Sequence, residues 1–210
     1  MAGSKPKQLR AVRTRAAIMR AGAEVFSEYG FAGASVAKIA QRAGLTLGAV
    51  YFHFESKQAL AREIVGAQPR RVTVPESPSG LQGAVDITMA WARQLLQDPL
   101  LLAGARLVMD QEYFVSPEQE NSYQQWVGVL APHLYAASEE GELTSEIDVG
   151  RLARLVVNAA TGAQMNAQLD TGRQDLPKRI EEIWRFLLPL IAAPGCADGI
   201  EFTAQRAKTA

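Results

Sequence analysis

Residues 46–57 of the chain read TLGAVYFHFESK, a short helical stretch whose outward side carries the wrong residues for a face in water. Thr46, Tyr51 and His53 can donate hydrogen bonds to phosphate oxygens, and Lys57 adds a charge for the same partner. Leu47 and Phe52 stand where Lys, Gln or Glu would be ordinary, and their apolar surface can contact thymine methyl groups. Gly48 and Ala49 are small enough for a helix to approach base edges closely. Val50 and Phe54, four apart on the opposite face, are expected in the core. Such a face suits reading a duplex or packing its aromatics against a neighbouring domain, and no bond-making chemistry is in it.

The remainder of the sequence gives an enzyme little to work with. His53 and His133 are the only histidines, and no cluster has metal-ligand spacing. Neither a glycine-rich phosphate loop nor a nucleophile elbow occurs. The acidic run SEEGELTSEID, residues 138–148, lacks the spacing of a calcium loop and reads as a helix end and turn. No catalytic residue, metal or cofactor is therefore expected. Cys196 is the one cysteine, which excludes an internal disulfide and suits a reducing cytoplasm. The N-terminus lacks a signal-peptide pattern, and no run of roughly 18 apolar residues could span a bilayer. A cytoplasmic protein without a membrane partner is the expectation.

The elements that would carry the surface can be read from periodicity. Ile18, Ala21, Gly22, Val25, Phe26 and Tyr29 form one helical stripe within 9–29, ended by Gly30. Ser35 is a good cap for a short helix with Val36, Ile39, Ala40 and Ala43 on one face, stopped by Gly44. Thr46 caps the next helix, and Leu45 can staple onto Val50. Two short helices joined by a glycine-containing turn make a helix-turn-helix, whose second helix enters the major groove. A fourth helix runs from Ser56 towards Gln68.

The stretch PRRVTVPESPSG, residues 69–80, holds three prolines and reads as a boundary loop. Beyond it Val85, Thr88, Met89, Ala92, Leu95 and Leu96 form a stripe broken at Pro99. A short helix over 99–109, a loop over 110–121, and helices near 118–139, 149–169 and 176–192 follow. No strand is apparent, so the fold class is all-α. The expected domains are 1–68, joined through 69–80 to a helical domain over 81–195, with a tail over 196–210.

The zero net charge conceals an asymmetry. Residues 1–71 hold twelve Lys or Arg against four Glu, a surplus of eight positive charges that the rest of the chain cancels. A basic first part and an acidic second part imply different partners, and the basic one suits a polyanion.

The run RTRAAIMRAGAEVFSEYGFAGASVAKIAQRAGLTLGAVYFHFESKQAL, residues 13–60, resembles the DNA-binding domain of the tetracycline-repressor (TetR) family. The YFHF.SKQAL wording, WVGVLAPHLYAASEEGEL with Trp126, and NAATGAQ around Thr161 resemble its γ-butyrolactone receptor branch. The resemblance implies a dimeric repressor on double-stranded operator DNA, released by a small apolar signal of γ-butyrolactone or furan/butenolide type. A pseudo-receptor answering to an antibiotic or a biosynthetic intermediate is the alternative; an enzyme or adaptor on the same scaffold is a third reading. By position, Ser35, Lys38, Thr46, Tyr51, His53 and Lys57 would hold phosphates. Leu47, Gly48, Ala49 and Phe52 would face bases, with Leu47 departing from the Lys that relatives often carry.

The resemblance also implies that the last two long helices form a homodimer. Signal binding falls to the helix bearing Tyr123, Trp126, Leu130 and Leu134, an aromatic and aliphatic face suited to a mostly apolar pocket. Met89 is a candidate wall residue, Trp91 either lines the pocket or covers an interface, and Thr161, Gln164 and Gln68 are candidate polar contacts.

Overall fold

The structure, a computed structural model, describes residues 4–74 and 79–202. Part of the expected connecting loop (75–78) and of the expected tail (203–210) lies outside the described residues. Among those described there are nine α-helices and no strand, only an isolated bridge between Leu143 and Ala192. The all-α class holds.

The first four helices are α1 (Ser4–Gly33), α2 (Val36–Ala43), α3 (Leu47–His53) and α4 (Lys57–Ala67). Their short members start where the sequence supplies caps. The Ser35, Thr46 and Ser56 hydroxyls accept from the amides of Lys38, Ala49 and Ala59 at 3.1–3.2 Å. Gly44 closes α2 in the left-handed conformation, its amide bonding back to Ala40 and Gln41. Gly30 does break α1, at φ 68° and ψ −179°, yet helical turns resume and run on to Gly33. The expected stop at residue 30 is thus a kink. Tyr29, expected in the buried stripe, is 42% exposed because the kink ends the stripe with Phe26.

Helices α5 (Gly80–Gln94), α6 (Pro99–Leu107), α7 (Ser122–Glu139), α8 (Val149–Thr171) and α9 (Leu176–Ile191) complete the set. The expected loop over 110–121 is partly ordered, since Val108–Tyr113 form a 3-10 segment that continues α6. Leu96, placed in the α5 stripe by spacing, lies past the end of that helix and is exposed.

Two compact units result, and they do not follow the boundaries expected from sequence. Residues 97–121 group with the first 68, because α6 packs on α1 and α4. Ala103, Leu107 and Phe114 enter the same core as Ile18, Phe26, Ile39, Val50, Phe54, Leu60 and Ile64. The second unit, 69–96 with 122–210, packs α5 against α7 and α9, and α8 against α7 and α9. Trp184 is fully buried in it, its indole N–H donating to the Thr88 hydroxyl at 2.7 Å.

Candidate nucleic-acid interface and signal site

Helix α3 is two-faced in the way the residue types demand. Val50 and Phe54 are 1% and 4% exposed, whereas Leu47, Tyr51 and Phe52 are 47%, 52% and 82% exposed. Burying Phe52 in place of leaving it in water would be worth about 1.5–3 kcal/mol, so its exposure is a cost the isolated unit bears. Gly48 is exposed too, and a Cβ built on it would meet nothing within 4 Å. The chain's own packing gives no reason for glycine there. Ala49 is half-buried, and His53 sets its ring edge-on to Phe52 at 5.1 Å. Ser35 and Thr46 spend an oxygen lone pair on their caps, which leaves each hydroxyl proton for an outside acceptor.

The two lysines assigned to phosphates are placed differently from the expectation. Lys57 sends Nζ back to the carbonyls of Phe31 (2.7 Å) and Ala34 (3.0 Å), over the Phe31 ring. An ammonium has three donors, so two are spent inside the unit. Burial also pushes Lys57 below the ordinary lysine pKa. Lys57 is first a tie between α4 and the chain entering α2. Lys38 is exposed but bonded to the Gly33 carbonyl at 2.8 Å and set over the Tyr29 ring.

The acids of the basic segment are all engaged. Glu63 meets Arg15, Glu55 meets Arg62, and Arg42 bonds Glu28 at 2.7 Å and Glu24 at 3.5 Å. Tyr29, and after it Arg42, hold the Glu28 carboxyl below its ordinary range. Such surface pairs add little stability, but they leave the positive surplus elsewhere. Arg10 and Arg13, exposed along the first turns of α1, carry part of it. Sequence reading counted these two as charge without giving them a contact.

The signal candidates fall in both units. In the second, Trp91 of α5 and Trp126 of α7 meet edge to face at 6.1 Å, and both are half-buried. Tyr123 is half-buried as well, while Leu130 and Met89 are core at 2% exposure. Thr161 donates to its own helix at Val157, and the Gln164 amide oxygen accepts from buried Arg173 at 2.8 Å. These two polar groups are therefore committed inside α8 and its C-terminal turn. Gln68 belongs to the first unit. Its buried amide lies on α6 where a Cβ on Gly104 would fall 2.0–2.5 Å from it, so a side chain at 104 would force the Gln68 amide to move. Sequence reading missed Gln125: its Oε1 and the Trp91 indole nitrogen are buried side-chain atoms with no hydrogen-bond partner in the structure. No periodicity flags a polar residue beside the apolar stripe.

Helices α8 and α9 also carry large apolar residues in the open. Leu155, Met165 and Leu169 on α8, with Phe186 and Leu190 on α9, are 37–84% exposed. Gly162, between them in sequence on α8, has open space where its Cβ would be. Among the described residues no group of three or more His, Cys, Asp or Glu could hold a metal, and no helix is long and apolar enough to cross a membrane.

Known proteins share this arrangement. Residues 18–64 match the bacterial regulatory proteins of the tetR family, and residues 78–192 match the tetracyclin repressor-like C-terminal domain. The chain is similar to the A-factor receptor protein of Streptomyces griseus, 37% identical over 189 residues, covering 90% of this chain and 67% of that protein. The crystal structure of TylP, a TetR regulator from Streptomyces fradiae, superposes at a TM-score of 0.79 with 35% identity, over 92% of this chain and 94% of that one. CprB from Streptomyces coelicolor, solved in complex with its operator sequence, does so at 0.74 with 29% identity, over 90% and 93%. With its exposed recognition-type helix and both domains of the family matched in order, the chain belongs to the TetR family of DNA-binding helix-turn-helix transcriptional regulators, and it is a repressor of that type and no enzyme.

Proposed function

We propose that two copies of the chain bind a palindromic operator and let go of it when each takes up a small apolar signal of γ-butyrolactone or furan/butenolide type. The observation that carries the DNA side of this reading is the outward face of α3, with Phe52 82% exposed opposite a buried Val50. In this reading residues 1–68 bind DNA, with Leu47, Gly48, Ala49 and Phe52 at bases. Ser35, Lys38, Thr46, Tyr51, His53 and the remaining Lys57 donor sit at phosphates, joined by Arg10 and Arg13. Within the span 81–195, the part that belongs to the second unit binds the signal and dimerises through α8 and α9, in the cytoplasm where the chromosome lies. The A-factor receptor relative supports the signal class. The pair Trp91–Trp126, with an orphaned donor on Trp91 and an orphaned acceptor on the neighbouring Gln125, supports the place.

A footprint on the chain's own upstream region, followed by a band shift titrated with γ-butyrolactones and butenolides, tests the whole reading. Release of the shifted band is the expected result. Release only by an antibiotic or a biosynthetic intermediate would instead assign the pseudo-receptor role, and no shift at physiological salt would remove the repressor's operator altogether.

Phe52→Ala isolates the base contact. Because the ring is exposed, the melting temperature should hold, the change in stability staying within about 0.5 kcal/mol. Discrimination at one thymine-bearing position should fall by about 1 kcal/mol, the worth of the buried methyl contact. Equal losses on matched and mismatched duplexes would show that Phe52 does not read a base.

A further inference from the structure

We infer that Asp110, 79 residues beyond the turn it touches, is a positioning residue for operator binding. The conformation of Gly30 denies the Phe31 amide its place in the helical ladder. Asp110 Oδ2 accepts that N–H at 3.1 Å instead. Arg106 flanks the same spot: a Cβ on Gly30 would lie 3.5 Å from its Nη2 and 3.7 Å from Asp110 Oδ2.

The connector 31–34 is gripped from the other side as well. Lys57 Nζ donates to the Phe31 and Ala34 carbonyls, and Lys38 Nζ donates to that of Gly33. Phe31 is thus held through its amide by an anion and through its carbonyl by a cation. Its ring is 6% exposed and stacks on Phe26 and Tyr113, with Phe114 tilted against it at 5.1 Å. Ser35 follows at once and caps α2. The direction in which the chain leaves Gly30 therefore sets where α2 begins, and with it the aim of α3. Lys38 and Lys57 lie within the residues matched to the DNA-binding domain; Asp110 lies well outside them. The 3-10 segment that carries it is a functional part of the reading head. A base-reading helix must be placed to within a fraction of an ångström, so a lost tether at its entrance acts on specific binding more than on stability.

The inference rests on operator binding by the native chain, so the native protein is titrated first on the footprinted duplex and on a scrambled duplex of equal length. Asp110→Ala should weaken the footprinted duplex about tenfold, about 1.4 kcal/mol. Binding to the scrambled duplex should change less than about twofold, and hydrogen exchange at the Phe31 amide should quicken. Asp110→Asn keeps an acceptor oxygen and should restore affinity to within about twofold to threefold. Native-like affinity in Asp110→Ala, no rescue by Asn, or a parallel loss on both duplexes together with a lowered melting temperature would each overturn the assignment. If the native chain shifts neither duplex, the operator reading falls and takes this inference with it.

Discussion

Truncation of Trp126 to Ala should yield a folded repressor that binds its operator and no longer lets go when the signal is added. Trp126 is half-buried on α7 and meets Trp91 edge to face at 6.1 Å, so removing it strips a flat wall without hollowing a sealed core. Release requires the signal to bind the DNA-incompetent arrangement better than the competent one, since equal affinity shifts nothing. With the wall gone, that differential binding goes too. The control is Trp184→Ala in the same unit. That indole is fully buried and donates to Thr88 at 2.7 Å, so its loss leaves a cavity and takes away the donor that the Thr88 oxygen accepts from, while the Thr88 hydroxyl still donates to the Val85 carbonyl; the cost is about 3–5 kcal/mol. Thermal melting and a signal-titrated band shift on both variants separate a binding tryptophan from a packing one. An unstable, DNA-silent Trp126→Ala would put Trp126 in the same class as Trp184 and sink the pocket.

Charge placed on the outer side of α8 and α9 should have the largest effect on DNA. Leu169 and Phe186 are 84% and 79% exposed in the single chain, so Leu169→Glu and Phe186→Glu disturb nothing within it. In a dimer joined through these helices each glutamate would be buried without a partner. Sedimentation should then show a monomer with a native melting profile at low concentration. Operator affinity should drop by about 10²–10⁴, the gain that linking two half-site readers supplies. A variant that stays dimeric with native affinity would move the dimer interface elsewhere.

Much of the first unit was legible because its signals are local. Ser35, Thr46 and Ser56 each cap a helix through a bond reaching three residues, and Val50 and Phe54 declare their face by spacing. The same locality explains the misses. Lys57 reads as an exposed cation until the Phe31 and Ala34 carbonyls, more than twenty residues earlier, come round to meet it. Asp110 sits in what reads as a polar loop, and nothing near it in sequence announces Phe31. The grouping of 97–121 with the first unit follows from Ala103 and Leu107 entering the core that also holds Phe26 and Leu60, and periodicity fixes a face without naming what it faces. In the second unit Trp126 was found through resemblance, whereas the orphaned atoms of Trp91 and Gln125 needed coordinates.

The open space around Gly48 sets stability and function against each other at one position. Glycine inside a helix costs about 0.8–1 kcal/mol relative to alanine, and here a methyl group would collide with nothing in the protein. A selection for heat resistance alone should therefore recover Gly48→Ala, with a raised melting temperature and, if Gly48 faces a base edge as proposed, a weakened grip on the operator. Thermal denaturation and operator titration of that variant should move in opposite directions, the signature of a residue kept for its absent side chain.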